Sequence, residues 1–221
     1  ADIDLLIIVE AAEYQKRKAA HKLAFSRWDL CNYPGGYIDC KVLSLDFLDA
    51  LRARGSDPAR YAFKDSIILF SRLDHLSTLL AEIARFPMED QAERRRRFAA
   101  QLLAWRWYYS EAVKKENQYL FYLAIQKIVL FSCRLVLNEN QMLYPYHKWL
   151  LKVVETAPLK PKAFDQALAK LLVAHNLNEV NQFSRDILDF GLEEKNLDWA
   201  NQFMIDNELN WMEHEAPVDD L

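Results

Sequence analysis

An α+β chain is predicted: a short mixed β-sheet with flanking helices, followed by an α-helical bundle. Three observations predict it. Short β-branched runs alternate with helix-permissive stretches before about residue 74. Beyond that point apolar residues recur at helical spacing through nearly everything that follows. Glycine is scarce, with 4 among 221 residues, and Leu, Ala, Lys and Glu are abundant, which favours helix over sheet.

Residues 4–9 (DLLIIV) are apolar and β-branched and read as a buried strand. Residues 10–28 are helix-permissive and end before the turn signal Asn32-Tyr33-Pro34-Gly35-Gly36. Residues 37–43 (YIDCKVL) alternate and give a second strand. Ser44 caps a helix over 45–54, and Gly55 stops it. Residues 66–70 (SIILF) give a third strand. Helices are expected over 74–86, 88–114, 117–138, 145–156, 162–175, 179–190 and 196–212, punctuated by Pro87, Pro145, Pro158 and Pro161. The expected division is an α/β segment over 1–73 and a helical domain over 74–221, ending in an acidic, frayed stretch at 213–221. The chain opens at Ala1, without methionine and almost directly in a strand pattern, so its true beginning is expected upstream.

A hydrophobic share of 52% allows a substantial core. The net charge of −4 argues against a nucleic-acid partner. Cys31, Cys40 and Cys133 are odd in number and widely spaced, which suggests free thiols in a reducing, cytoplasmic setting. No signal peptide is visible. The most apolar stretch, 120–133, is interrupted by Gln126 and Lys127, so no membrane span is expected.

The chemistry-bearing residues begin at once. In a strand, residues two apart project to the same face, so Asp2 and Asp4 set two carboxylates side by side. Asp39 lies in the second strand between Ile38 and Cys40, where an acid asks for a partner. If the strands are neighbours, three carboxylates converge. Three hard oxygen ligands suit Mg²⁺, which completes its shell with water and phosphate. On spacing alone these acids read equally as ordinary strand-edge residues.

The segment Asp2-Ile3-Asp4-Leu5, followed by Leu6-Ile7-Ile8-Val9, resembles the paired-acid strand of the nucleotidyltransferase (polymerase-β-like) superfamily. Tyr37-Ile38-Asp39-Cys40-Lys41-Val42 resembles the strand carrying its third acid. The helical tail is similar to that of small-molecule members such as kanamycin nucleotidyltransferase and streptomycin adenylyltransferase. The resemblance implies a nucleotidyltransferase-like core, N-terminally incomplete, in which Asp2, Asp4 and Asp39 bind metal, two Mg²⁺ ions being usual. It implies transfer of a nucleoside monophosphate from a nucleotide triphosphate, usually ATP, to a hydroxyl of a small-molecule acceptor. The family's Gly-Ser turn, roughly ten residues before the paired acids, would fall ahead of Ala1. Gly55-Ser56 follows all three acids and reads as a helix stop.

Such enzymes often draw a general base from outside the core strands, sometimes with a lysine one turn later. Glu111 and Lys115 fit that spacing and would share a helix face. Glu116 is the rival, about 140° around the helix at roughly 100° per residue. An ordinary exposed ion pair explains Glu111 and Lys115 as well.

Other signals have plainer readings. Glu93 and the arginines at 94–97 could hold phosphate, but consecutive arginines cover every side of a helix and read as solvated. Trp105, Trp107, Tyr108 and Tyr109 read as core aromatics, and Tyr144-Pro145-Tyr146-His147-Lys148-Trp149 as a helix entry. The histidines at 21, 75, 147, 175 and 214 show no metal-ligand spacing. The expected function is therefore Mg²⁺-dependent nucleotidyl transfer to a small molecule. The alternatives are a non-catalytic nucleotide-sensing or protein-interaction relative, and transfer to a protein or RNA acceptor.

Overall fold

A computed structural model describes residues 2–173, 176–191 and 197–212. His175, His214, the ends of two expected helices (174–175 and 196) and the acidic stretch at 213–221 lie outside the described residues. The chain forms two compact units, Ala1–Arg85 and Phe86–Leu221.

The first unit is built on a three-stranded mixed sheet. Strand β1 (Asp2–Val9) pairs in parallel with β3 (Tyr37–Ser44), and β2 (Ala24–Arg27) pairs antiparallel with the other edge of β3. Helix α1 (Ala11–Ala19) crosses from β1 and lies against β3. The expected helix over 10–28 stops early. His21 takes a left-handed conformation (φ +53°), and the amides of Ala20, His21 and Lys22 bond back to the carbonyls of Lys16, Lys18 and Arg17. The chain is then free to return as β2.

Ser44 ends β3 and caps α2 (Leu45–Arg54), its Oγ accepting from the Phe47 amide at 3.2 Å. Gly55 does end the helix, but by crowding rather than by a left-handed turn. Its φ is −67°, and a Cβ there would stand 2.2 Å from Leu51 Cδ1. Helix α3 (Asp57–Tyr61) and α4 (Leu76–Ile83) follow. Leu48, Leu51, Phe63, Leu76, Leu79 and Ile83 form the core of this unit, with Leu6, Ile8 and Leu43 packed on it from the sheet. Arg60 is buried among them. It donates to the carbonyls of Arg52 (2.8 Å), Gly55 (2.9 Å) and Ile83 (3.3 Å), closing the ends of α2 and α4.

The expected strand at 66–70 is not formed. Residues 66–70 run without strand or helix, and Ile67, Leu69 and Phe70 are largely exposed. β-branched composition makes a strand only where the chain lies alongside an edge, and 66–70 pairs with neither outer edge of the sheet, that of β1 or that of β2.

The second unit is helical: α5 (Gln91–Lys114), α6 (Gln118–Glu139), α7 (Leu150–Glu155), α8 (Phe164–Val173), α9 (Leu177–Gly191) and α10 (Trp199–Phe203), the last continuing into a π-helical turn at Met204–Glu208. Helices α5 and α6 form an antiparallel hairpin. At its open end Gln91 and Asn138 exchange side-chain bonds to each other's carbonyls, at 2.8 and 3.1 Å, beside a bidentate Arg95–Glu139 pair at 2.6 and 2.7 Å. The expected helix at 145–156 starts late because Tyr146 sits at a positive φ of +72°, outside the helical region. A short 3₁₀ turn at His147–Trp149 then leads into α7.

Contrary to the sequence expectation, α6 is long and apolar enough to cross a membrane, with mean hydropathy 1.8 over its best window. Gln126 and Lys127 do not lower the average enough to disqualify it. Half of that window is buried inside this unit, where Ala124, Ile128, Cys133, Val136 and Leu137 form the centre of the core. Burial pushes the Cys133 thiol up to about 12. A thiol-exchange reagent at pH 8 is therefore expected to modify half-buried Cys31 in the native protein and to reach Cys133 only on unfolding. Reaction of Cys133 at the rate of Cys31 under native conditions would contradict the packing.

Candidate functional site

The parallel register sets the site. Asp4 lies directly opposite Asp39, and Asp2 opposite Tyr37. On the other side of β3, Ser26 lies opposite Asp39. Side chains in register share a face, so Ser26, Asp39 and Asp4 form one row across the sheet. Leu6, Ile8 and Leu43 belong to the same face and are covered by the α2–α4 core. The acids occupy the open N-terminal end of β1 and β3, beyond that cover. Asp2 and Asp4 are exposed and Asp39 is half-buried.

Adjacent strands stand about 4.8 Å apart, so the carboxylates of Asp4 and Asp39 are immediate neighbours of like charge. Few protein donors offset them. Ser26 Oγ donates to Asp39 over a long 3.4 Å, and Tyr37 Oη donates to Asp2, also over 3.4 Å. Among the described residues no three His, Cys, Asp or Glu side chains come close enough to hold a metal ion by themselves. Asp2, Asp4 and Asp39 thus form a facing pair with one further acid a pleat away, rather than a three-ligand cage. A pair still fits Mg²⁺ chemistry, since that ion is commonly held by one or two carboxylates with substrate phosphates completing the shell.

The Tyr37 phenol reports the field at this end of the sheet. The charge on Asp2 pushes its pKa up first, partial burial and the Asp2 hydrogen bond add to it, and Asp39 and Asp4 act in the same direction. Asp2→Asn is expected to bring Tyr37 back towards an ordinary tyrosine, at about 10. Ultraviolet difference titration against a Tyr37→Phe control measures it. An unchanged titration would show that the acids do not act on the phenol.

The candidate base lies in the helical unit. Glu111 is in the last turn of α5, its side chain 17% exposed, with Lys114 Nζ at 2.8 Å and Lys115 Nζ at 3.5 Å. The nearer partner is Lys114, not the Lys115 expected from spacing. The Lys114 hydrogen bond holds the Glu111 carboxyl below the ordinary range. Partial burial opposes this, and the charges of Lys114 and Lys115 reinforce it. Glu116 is no longer on the helix. It sits at φ +52° where α5 turns toward α6, with its amide and that of Asn117 bonded back to Val113 and Ala112.

The arginine run is largely absorbed by packing and pairing. Arg94 lies over the Phe86 ring, Arg95 pairs with Glu139, Arg96 with Glu93, and Arg97 with Asp206. Tyr109 is buried against Phe121, and Trp105 and Tyr108 pack on Phe203.

Sequence reasoning missed two groups beside the acids, Ser26 and Trp28. Trp28 lies in the bend directly after β2, is 65% exposed, and stacks on Tyr37 with ring centroids 4.3 Å apart. Recognising 24–27 as a strand would have placed both.

The fold is similar to that of a crystallised nucleotidyltransferase-like protein from Exiguobacterium sibiricum 255-15. The TM-score is 0.51 at 13% sequence identity, and the match covers 93% of this chain and 67% of that one. No protein-family model matches the sequence, and no curated protein is significantly similar to it. The fold of this chain is nucleotidyltransferase-like.

Proposed function

We propose that this nucleotidyltransferase-like fold carries out Mg²⁺-dependent transfer of a nucleoside monophosphate from a nucleotide triphosphate, ATP first among donors, to a hydroxyl of a small-molecule acceptor. The helical tail's resemblance to small-molecule members such as kanamycin nucleotidyltransferase supports a small acceptor. The observation that carries the reading is the facing pair Asp4 and Asp39 at the open end of two parallel strands, on a fold that resembles a nucleotidyltransferase-like protein.

Asp4 and Asp39 would hold the ion, with Asp2 available to a second one. Bound Mg²⁺ neutralises phosphate charge and lowers the barrier to attack at phosphorus. The acceptor oxygen bonds to the α-phosphorus, the bond from that phosphorus to the bridging oxygen breaks, and pyrophosphate leaves with its electron pair. The hydroxyl proton passes to solvent or to a base. Glu111 carries no step in this reading. Two lysines bind its oxygens and hold its carboxyl low, so it takes up a proton poorly. We place the protein in the cytoplasm, a reading supported by three free cysteines.

Calorimetric titration of ATP with and without Mg²⁺ tests the proposal. Binding that requires Mg²⁺ supports it. Absence of binding by the wild type overturns it in favour of a non-catalytic role.

A further inference from the structure

We infer that Trp28, stacked on Tyr37 beside the acid row, is the platform for the base of a purine nucleotide donor. The inference rests on the reading of Asp4 and Asp39 as the triphosphate end of the site.

β2 ends where Arg27 pairs with Ile38, and Trp28, in the bend that follows, lays its ring on that of Tyr37, itself opposite Asp2. Tyr37 and Asp2 make a second row, on the same face as Asp39 and Asp4 and two residues along the strands, and Trp28 joins it by stacking on Tyr37. The indole lies on the Tyr37 ring at 4.3 Å and 25°, and the Tyr37 hydroxyl reaches Asp2. One continuous surface thus runs from an open aromatic face to the carboxylates. The rows are about 7 Å apart along the strands, and β2 lies one strand spacing, about 4.8 Å, to the side of β3. That offset is within reach of a base linked through ribose to phosphates on the acid row.

An indole that keeps 65% of its surface exposed, with one ring face already stacked, offers the other face to a flat partner. Arg27 and Asp29, its chain neighbours, bond to each other at 2.6 and 2.8 Å. Tyr33 packs over Gly36, where a Cβ would stand 2.4 Å from the ring, so a side chain there would displace Tyr33 from the turn leading into Tyr37. Because Arg27 and Asp29 satisfy one another, they leave little at this spot to read the edge of a base. Recognition by stacking alone tolerates different bases and favours the larger ring system. The donor class is therefore purine nucleotides, with ATP and GTP bound within a few-fold of each other and CTP and UTP more weakly.

The test compares Mg²⁺–ATP with Mg²⁺–tripolyphosphate, which lacks a base, by calorimetry on wild type, Trp28→Leu and Trp28→Phe. Trp28→Leu is expected to weaken Mg²⁺–ATP about tenfold, to leave Mg²⁺–tripolyphosphate unchanged, and to remove the preference for purines. Trp28→Phe is expected to retain most of the affinity. Unaltered Mg²⁺–ATP binding by Trp28→Leu, alongside Mg²⁺–tripolyphosphate binding by the wild type, overturns the stacking platform and leaves the acid-row reading standing. A wild type that binds neither compound overturns the acid-row reading, and the platform with it.

Discussion

Replacing Asp4 with Asn is expected to cut nucleotidyl transfer by about a thousandfold while leaving the protein as stable as before or slightly more so. Asparagine keeps the shape and removes the charge that Mg²⁺ needs. Metal stabilisation of a phosphoryl transition state amounts to several kcal/mol, and three powers of ten correspond to about 4 kcal/mol. The stability side follows from the register. Asp4 faces Asp39 across β1 and β3, and like charges directly opposite cost about 0.2–1 kcal/mol in a sheet. Removing one relieves that repulsion. Millimolar Mg²⁺ is expected to raise the unfolding midpoint of the wild type, because it binds only the folded pair, and to do less for Asp4→Asn. Single-turnover transfer and urea unfolding measure the two halves. Full activity in Asp4→Asn would sink the functional assignment, whatever the stability result.

The largest expected structural effect belongs to Arg60. Arg60→Met preserves an unbranched apolar stem and removes every donor, stranding the carbonyls of Arg52, Gly55 and Ile83. A hydrogen bond from a charged group contributes about 1.5–3 kcal/mol, and water would rescue part of the loss. A net cost of about 3 kcal/mol is expected. The chain has two units, so a single global transition is a poor assay. Trp28 is the sole tryptophan of the first unit, and its fluorescence reports that unit in a background where the other five are replaced by Phe. Arg60→Lys should recover a minor part of the stability, since an ammonium does not reproduce the guanidinium fork. A midpoint unmoved by Arg60→Met would mean that the ends of α2 and α4 are held by packing alone.

The sequence made some of this legible for identifiable reasons. The period-two spacing of Asp2 and Asp4, and the apolar run behind them, give β1 and the face it presents. The β-rich alternation of 37–43 gives β3, and Ser44 and Gly55 give both ends of α2. β2 escaped because its four residues (AFSR) are short, exposed and without an apolar alternation; its strand character comes from pairing with β3. Residues 66–70 misled in the opposite sense, since β-branched composition does not by itself bring a segment alongside a sheet edge. In the helical unit, periodicity gives α5 and α6 closely, whereas the late start of α7 depends on the backbone of Tyr146, which no pattern of apolar residues records. Of the candidate site, the acids were readable one by one. The facing of Asp4 with Asp39 depends on register, and the place of Trp28 depends on β2, so neither could be read from spacing.

Helix α6, the one helix among the described residues long and apolar enough to cross a membrane, is synthesised before much of what covers it. Helices α7, α8 and α9, which supply core residues such as Val154, Phe164, Leu168 and Ile187 around α6, all follow it in the chain. At ribosomal speeds the roughly 50 residues from the end of α6 to the end of α9 take about 3–10 s to make. Until they follow, the nascent chain carries a 22-residue segment with the length and hydropathy of a membrane span. The same burial that makes α6 the centre of the finished core makes the order of synthesis a hazard, with α5, made before it, as an early shield.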